Sequence, residues 1–399
     1  MRTRTTITNL SAFLAAALLA TACSESVGPA ASKAVGAADS APKSFQWTPA
    51  FATVANGPSG GIALDQQNGT LGGSGRLLIK GFNPTNPHRG DAIVATFFWL
   101  GSTNIIDSVA DVLTTAPSYT PVGNRYTLVE YVTVGGYSMA TYVATNVQNF
   151  PDPNTDPFQG DILAVGAYLS QPVSEGGVTI SAWAGVNTVA AQSLGAHRSG
   201  SGSASGITAV GPGSIAIGAG ALAYAVTMSN GLAGRDPPAG FTPLGIGSDN
   251  AMVIENDFAV QTAIGAVDPH WTWYWAASPP SSWLASVVAL NPPLHLAFTV
   301  QPSRTLPLMA IQPAVQVTAL DAGGNPVASF NGPVTIAIGR NGGMVVPGTL
   351  SGTTTVAAVN GVATFSNLSI DQLGSGYTLV VSAANVFGVE SAQFNIGAF

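Results

Sequence analysis

The sequence predicts an all-β protein made of two successive antiparallel sandwiches, and three observations carry that reading. Apolar and polar residues alternate in short runs such as "RYTLVEYVTV" (125–134) and "VQVTAL" (315–320), the two-residue period of strands with one buried face. Glycine (47 residues) and proline (27) recur between those runs, where tight turns need them. Beyond the N-terminal segment no stretch of ten or more residues has helical periodicity.

Only 8% of the 399 residues are charged, against roughly 25% in an average soluble protein. The only lysines are Lys33, Lys43 and Lys80, and no basic cluster exists, which excludes nucleic acid as an expected partner. Mean hydropathy is positive. No apolar run after the N-terminal segment is long enough to span a bilayer as a helix, so buried strands account for it.

The chain begins "MRTRTTITNLSAFLAAALLATAC", with Arg2 and Arg4, an apolar stretch from Leu10 to Leu19, and small residues before Cys23. That is the pattern of a secretory signal, expected over 1–22. "LATAC" resembles the lipobox of bacterial lipoproteins, with Ala20 where leucine is commonest. The resemblance implies acylation of Cys23, which becomes the mature N-terminus and a membrane anchor; more than one acyl chain makes such an anchor stable. Ser24 after the cysteine implies the outer membrane of a bacterial envelope, with the folded part facing the surface or the periplasm. Cys23 is the only cysteine, so no disulfide forms within the chain. Residues 23–44 are small, polar and without apolar period, and read as a flexible tether.

From 294 to 399 the alternation is regular. Val315, Val317 and Ala319 point one way, Asp321 to Pro326 supplies turn chemistry, and Asn360-Gly361 separates two alternating runs as a hairpin turn does. About seven short strands in roughly a hundred residues argue an immunoglobulin-like sandwich. "LAFTVQP", "VQVTALDAGGNPV", "GPVTIAI", "GTLSGTTTVAAVNGVATFSNLSID" and "GYTLVVSA", in that order, resemble the bacterial Ig-like domains of invasin and intimin type. In that family such domains are spacers or stalks, sometimes tipped by an adhesive domain. Tyr377 falls where Ig-like folds often place a corner tyrosine.

Residues 45–293 carry alternating runs at 91–101, 125–134, 137–147, 160–170, 177–186, 214–228 and 251–260. Gly136 reverses the chain between the second and third. The expected form is a large antiparallel jelly-roll-like sandwich. The order of "GDAIVATFFW", "NRYTLVEYVT", "AWAGVNTVAAQSLGAHRSGSGSASG" and "WLASVVAL" resembles concanavalin-like jelly-roll domains of bacterial and phage surface proteins, many of which bind glycans.

Several motifs invite chemistry. "PDPNTDPFQGD" (151–161) sets Asp152, Asn154 and Asp156 at alternating positions, an oxygen spacing that suits Ca2+ in loops; a solvated turn is the competing reading. "HRGD" (88–91) contains the Arg-Gly-Asp string, with Asp91 read as a cap on the strand that follows. A glycoside hydrolase or lyase needs two carboxylates across a cleft, and Glu130, in mid-strand, is the acid of most interest, with Glu255 and Asp257 available. In "HWTWYW" (270–275) the side chains of Trp271, Trp273 and Trp275 share one face of a strand and His270, Thr272 and Tyr274 the other. An outward indole row would stack sugar rings; an inward row would fill a core. The polar opposite row favours the inward reading and makes His270 and Tyr274 the exposed pair.

These readings lead to a surface-anchored lipoprotein that binds extracellular glycan or a surface protein, with His270, Tyr274, the three tryptophans and Glu130 as candidate contacts. A polysaccharide hydrolase or lyase, and a structural stalk without ligand, are the alternatives.

Overall fold

The computed structural model describes residues 46–47, 61–115, 118–154, 160–384 and 386–397; Cys23, the tether and Asp156 lie outside them. The protein is all-β with antiparallel sheets. Ala190–Ser193 is the only helix among the described residues, and none there is long and apolar enough to cross a membrane.

The larger sandwich rests on Leu163–Ala184, 22 residues long. The runs at 160–170 and 177–186, expected as separate strands, are therefore one. Ala63–Gly81 follows one edge of it for its whole length through several bulges. On the other edge Ile106–Thr115 pairs with its first half and Ala92–Leu100 with its second. Tyr137–Ala144 and Thr127–Val134 extend this first sheet as a hairpin, turned at Gly135 and Gly136, both at positive φ, as a two-residue hairpin loop requires.

The second sheet has the order Gln46–Trp47, Thr242–Ser248, Val253–Val260, Leu222–Ser229, Ser281–Leu290, Leu194–Ala204. Val94, Phe98, Met139, Val143 and Trp183 of the first sheet pack against Leu222, Tyr224, Val226, Ile254, Leu284 and Val288 of the second. That is the core a two-layer sandwich needs. The centre of the fold goes further. Ala92–Leu100, Leu222–Ser229 and Ser281–Leu290 are buried on both faces. Near-continuous apolar runs such as "AIVATFFWL" have that meaning. Behind the first sheet, Ile93, Phe97 and Trp99 meet Phe82, Phe150 and Val165. Over the second lies a small third layer, Ile207–Val210, Trp271–Tyr274 and Arg235–Asp236, whose tryptophans cover Ala223, Ala225, Ala285 and Val287.

The run at 214–228 splits at Gly218–Gly220 into Ile215–Ile217 and Leu222–Ser229. Leu290 closes the core between the large sheets and Leu294 opens the C-terminal one. Asn291 between them is fixed to the larger sandwich by bonds to Asn187, Ser193 and Gln192.

In the C-terminal sandwich the strand order is Thr355–Ala357, Pro333–Ile338, Leu379–Ala383, Val386–Glu390, His295–Val300, Val315–Leu320, Val362–Phe365. His295–Val300 and Val386–Glu390 run parallel; the remaining pairs are antiparallel. Val315, Val317 and Ala319 enter the core as their alternation predicts. Asn360 and Gly361, at φ 51° and 83°, form a two-residue loop closed by Val359 and Val362. The Tyr377 hydroxyl donates to the Gln372 carbonyl, five residues upstream, at 3.0 Å.

Candidate functional site

The tryptophan row faces inward. Trp271 and Trp273 are 0% exposed and Trp275 5%, whereas Tyr274 between them is 45% exposed. Trp271 Nε1 donates to Asp257 Oδ2 at 2.8 Å, and Trp275 Nε1 to Ser229 Oγ at 3.0 Å. Trp273 and Trp275 stack at 5.4 Å, and the Arg235 guanidinium sits 5.5 Å from the Trp273 ring centroid. No ligand reaches these indoles in this arrangement. As candidate ligand contacts Trp271, Trp273 and Trp275 are therefore replaced by the outer row. Tyr274 donates its hydroxyl to Asp236, which raises its pKa. His270 Nδ1 lies 3.0 Å from the Asp268 carbonyl, on an exposed ring.

Under the indoles lies a charged cluster. Glu255 and Asp257 share one face of Val253–Val260, and Glu255 pairs with Arg235. Burial raises Glu255 and pushes Asp257 up to about 8, the neighbouring Glu255 charge adding to the effect on Asp257. Burial therefore favours the protonated form of Asp257, next to a Glu255 that is paired with Arg235. These are two acids side by side, as acid–base chemistry would need, but both are enclosed.

Glu130 stands beside a bulge in its strand and accepts from His197 Nδ1 at 2.7 Å. The two residues are on edge strands of the two large sheets, so the bond ties those edges together. Glu130's partner is an imidazole rather than a second carboxylate. Nothing local in the sequence joins Glu130 to His197, 67 positions apart.

The loop at 151–154 carries two of the three Ca2+ candidates, Asp156 lying outside the described residues. Asp152 is buried and Asn154 exposed. Asp152 Oδ1 accepts the backbone N–H of Asn154 at 2.8 Å, and Oδ2 that of Arg89 at 2.9 Å. Asn154 thus meets Asp152 through its backbone and not through its side-chain oxygen. Asp152 instead helps to fix the turn His88–Asp91. That turn closes with Asp91 N–H to the His88 carbonyl at 3.3 Å, and Gly90 takes φ +96°, the positive value a type II turn needs at its third position.

The turn brings His88 and Asp91 onto Asp65. Asp65 Oδ2 accepts from the His88 backbone N–H at 2.7 Å and lies 2.9 Å from His88 Nδ1. Donor atoms of Asp65, His88 and Asp91 all fall within 4.8 Å of one another, a grouping that can hold a metal ion. Burial first, then the adjoining Asp65 carboxyl, pushes Asp91 up to about 9. Asp91 is too enclosed to present the Arg-Gly-Asp string to another protein. The string was legible; its partner Asp65, 23 residues upstream, was not.

A cleft of about 480 Å³ opens where the two sandwiches meet, lined by Gln192, Ile264 and Asn291 of the larger and Ser329, Phe330 and Asn331 of the C-terminal one. The junction is close-packed beside it: a Cβ at Gly220 would lie 2.5 Å from the Ala322 Cβ, and one at Gly323 2.5 Å from the Ala219 Cβ. The two sandwiches belong to one compact unit.

Fold and site together define an all-β protein of antiparallel sheets with a cleft at the junction of its two sandwiches. Compared with protein-family models, with curated proteins and with solved structures, the chain matches none of them.

Proposed function

We propose that this protein is an envelope lipoprotein, anchored through Cys23, that binds a neutral, hydroxyl-rich ligand such as a glycan in the cleft between its two sandwiches. The observation that carries this reading is the cleft itself. Its 480 Å³ falls within the roughly 300–1,000 Å³ of small-ligand sites. Its wall mixes the amides of Gln192, Asn291 and Asn331 with the apolar surfaces of Ile264 and Phe330, a combination suited to hydroxyl groups and to the C–H faces of a sugar ring. The small residues of the junction hold the two walls at a fixed spacing, so little ordering is needed on binding. The secretory-signal pattern at 1–22 and the resemblances of both sandwiches to surface proteins support an extracytoplasmic cleft in this reading.

The cleft is a better candidate than the tryptophan strand because the indoles are enclosed. A hydrolase on the same scaffold is the weaker reading, since Glu255 and Asp257 lie beneath the third layer. The test is a glycan array followed by calorimetry on the mature chain and on Ser329→Trp, which fills the cleft from an exposed lining position. Saturable binding lost in Ser329→Trp is the expected result. Binding unaffected by that change moves the site elsewhere, and no saturable binding removes the proposal.

A further inference from the structure

We infer that Asp65, His88 and Asp91 form a binding site for one divalent transition-metal ion, of which Zn2+ is the best-matched example. The site is separate from the cleft and does not depend on the reading given to it.

Two segments converge to make it. Asp65 lies near the start of the long edge strand Ala63–Gly81, and His88 and Asp91 occupy the two ends of a tight turn. The turn is held from outside: Arg89 Nε donates to the Phe150 carbonyl at 2.7 Å, the Gly90 N–H to the Val147 carbonyl at 2.9 Å, and the Val147 N–H to the Asp91 carbonyl at 3.0 Å. The donor atoms are thus carried by anchored backbone.

The spacing fits. Zn2+ holds nitrogen and oxygen ligands at about 2.0–2.2 Å, so tetrahedral ligands sit about 3.4 Å apart. His88 Nδ1 and Asp65 Oδ2 are 2.9 Å apart and all three donors lie within 4.8 Å. An ion at their centre requires His88 and Asp65 to separate by about 0.5 Å, within reach of side-chain rotation.

A second observation points to a ligand. Asp91 is only 4% exposed, its Oδ2 receives no N–H or O–H from the rest of the fold, and its carboxyl adjoins that of Asp65. Two buried carboxyls side by side need a shared proton or a cation between them, and a cation beside the His88 imidazole meets both. His88 is the open side of the cluster, its side chain 22% exposed, which gives an ion a way in and leaves room for water to complete its shell.

The donor set selects the metal. Ca2+ takes six to eight oxygens and Mg2+ prefers oxygen and water. One imidazole with two carboxylates suits Zn2+ and its neighbours in the transition series. Binding uses the Nδ1 lone pair, so the Nδ1 hydrogen that now faces Asp65 moves to Nε2. That tautomer change is a readout a purely structural turn would not give.

The experiment uses the untagged full chain, stripped with chelator and titrated by calorimetry with Zn2+ and separately with Ca2+. Co2+ serves as an optical probe, and imidazole nitrogen shifts are followed by NMR. One equivalent of Zn2+ per chain is expected, with Ca2+ far weaker and the His88 signals moving to the Nε2–H form. Asp91→Asn keeps the side chain's shape and is expected to weaken Zn2+ by about 100-fold or more, while His270→Ala leaves binding unchanged. Absence of saturable Zn2+ binding to the wild-type chain overturns the proposal, as does equal binding by Asp91→Asn. Calcium binding in preference to zinc overturns the choice of metal class.

Discussion

The larger sandwich encloses Asp65, Asp91, Asp111, Asp152, Glu255 and Asp257, whereas Asp321 is the only carboxylate enclosed in the C-terminal sandwich among the described residues. The contrast is one of construction. Asp321 sits in a turn and accepts the N–H groups of Gly323 and Asn325 at 2.9 Å each, so its charge is met by backbone and its role is to shape the turn. Asp111 is held in a similar way by Gly123 and Asn124. Asp91, Glu255 and Asp257 are different, because they face one another or a neighbouring acid away from water. Such pairs cost stability. The C-terminal sandwich has an apolar core and turns whose polar groups are satisfied. The larger one keeps polar groups inside that packing alone does not require.

The largest test of that contrast is to remove a buried partner. Arg235→Ala leaves the buried Glu255 without its partner, and a loss of about 3–5 kcal/mol is expected in urea unfolding. Trp271→Ala removes a fully buried indole and strands Asp257, with a loss of similar size, about 3–5 kcal/mol. Tyr274→Ala, on the same strand but facing water, is expected to cost less than about 1 kcal/mol.

Asp257 gives a pH signature. Its folded pKa is about 8, above the ordinary carboxyl value near 4. The folded state therefore binds more protons than the unfolded one between those values, and stability falls as pH rises from about 4 to about 8. Asp257→Asn keeps an acceptor for Trp271 and cannot ionise. Its expected effect is a flatter pH profile and a gain relative to wild type at pH 8, read from denaturant midpoints at a series of pH values.

A small change is also expected in the C-terminal sandwich. Tyr377→Phe removes the hydroxyl bond to Gln372 and is expected to cost about 1 kcal/mol with little pH dependence.

The sequence made some of this legible and hid the rest for physical reasons. Local rules are enough for Asn360-Gly361 and Gly136, because a two-residue hairpin loop demands positive φ at known positions. The alternation at Val315, Val317 and Ala319 marks a core face directly. "SQPVSEGG" carries turn residues and predicts a break inside Leu163–Ala184, which the paired edge strand instead keeps extended through bulges. The polar row of His270, Thr272 and Tyr274 marks the covered face of Trp271–Tyr274, but so short a strand does not say that it belongs to a separate third layer. Asp65–His88 and Glu130–His197 join distant segments, and no spacing rule reaches across a fold.

The most direct check on the whole account is the accessibility of residues 270–275 in the native chain, read by hydroxyl-radical footprinting and mass spectrometry with rates normalised to each side chain's intrinsic reactivity. The enclosed row predicts modification of His270 and Tyr274, with Trp271, Trp273 and Trp275 protected until the protein unfolds. Native-state labelling of those tryptophans as fast as Tyr274 would contradict it, and would return the indoles to the surface as a stacking platform.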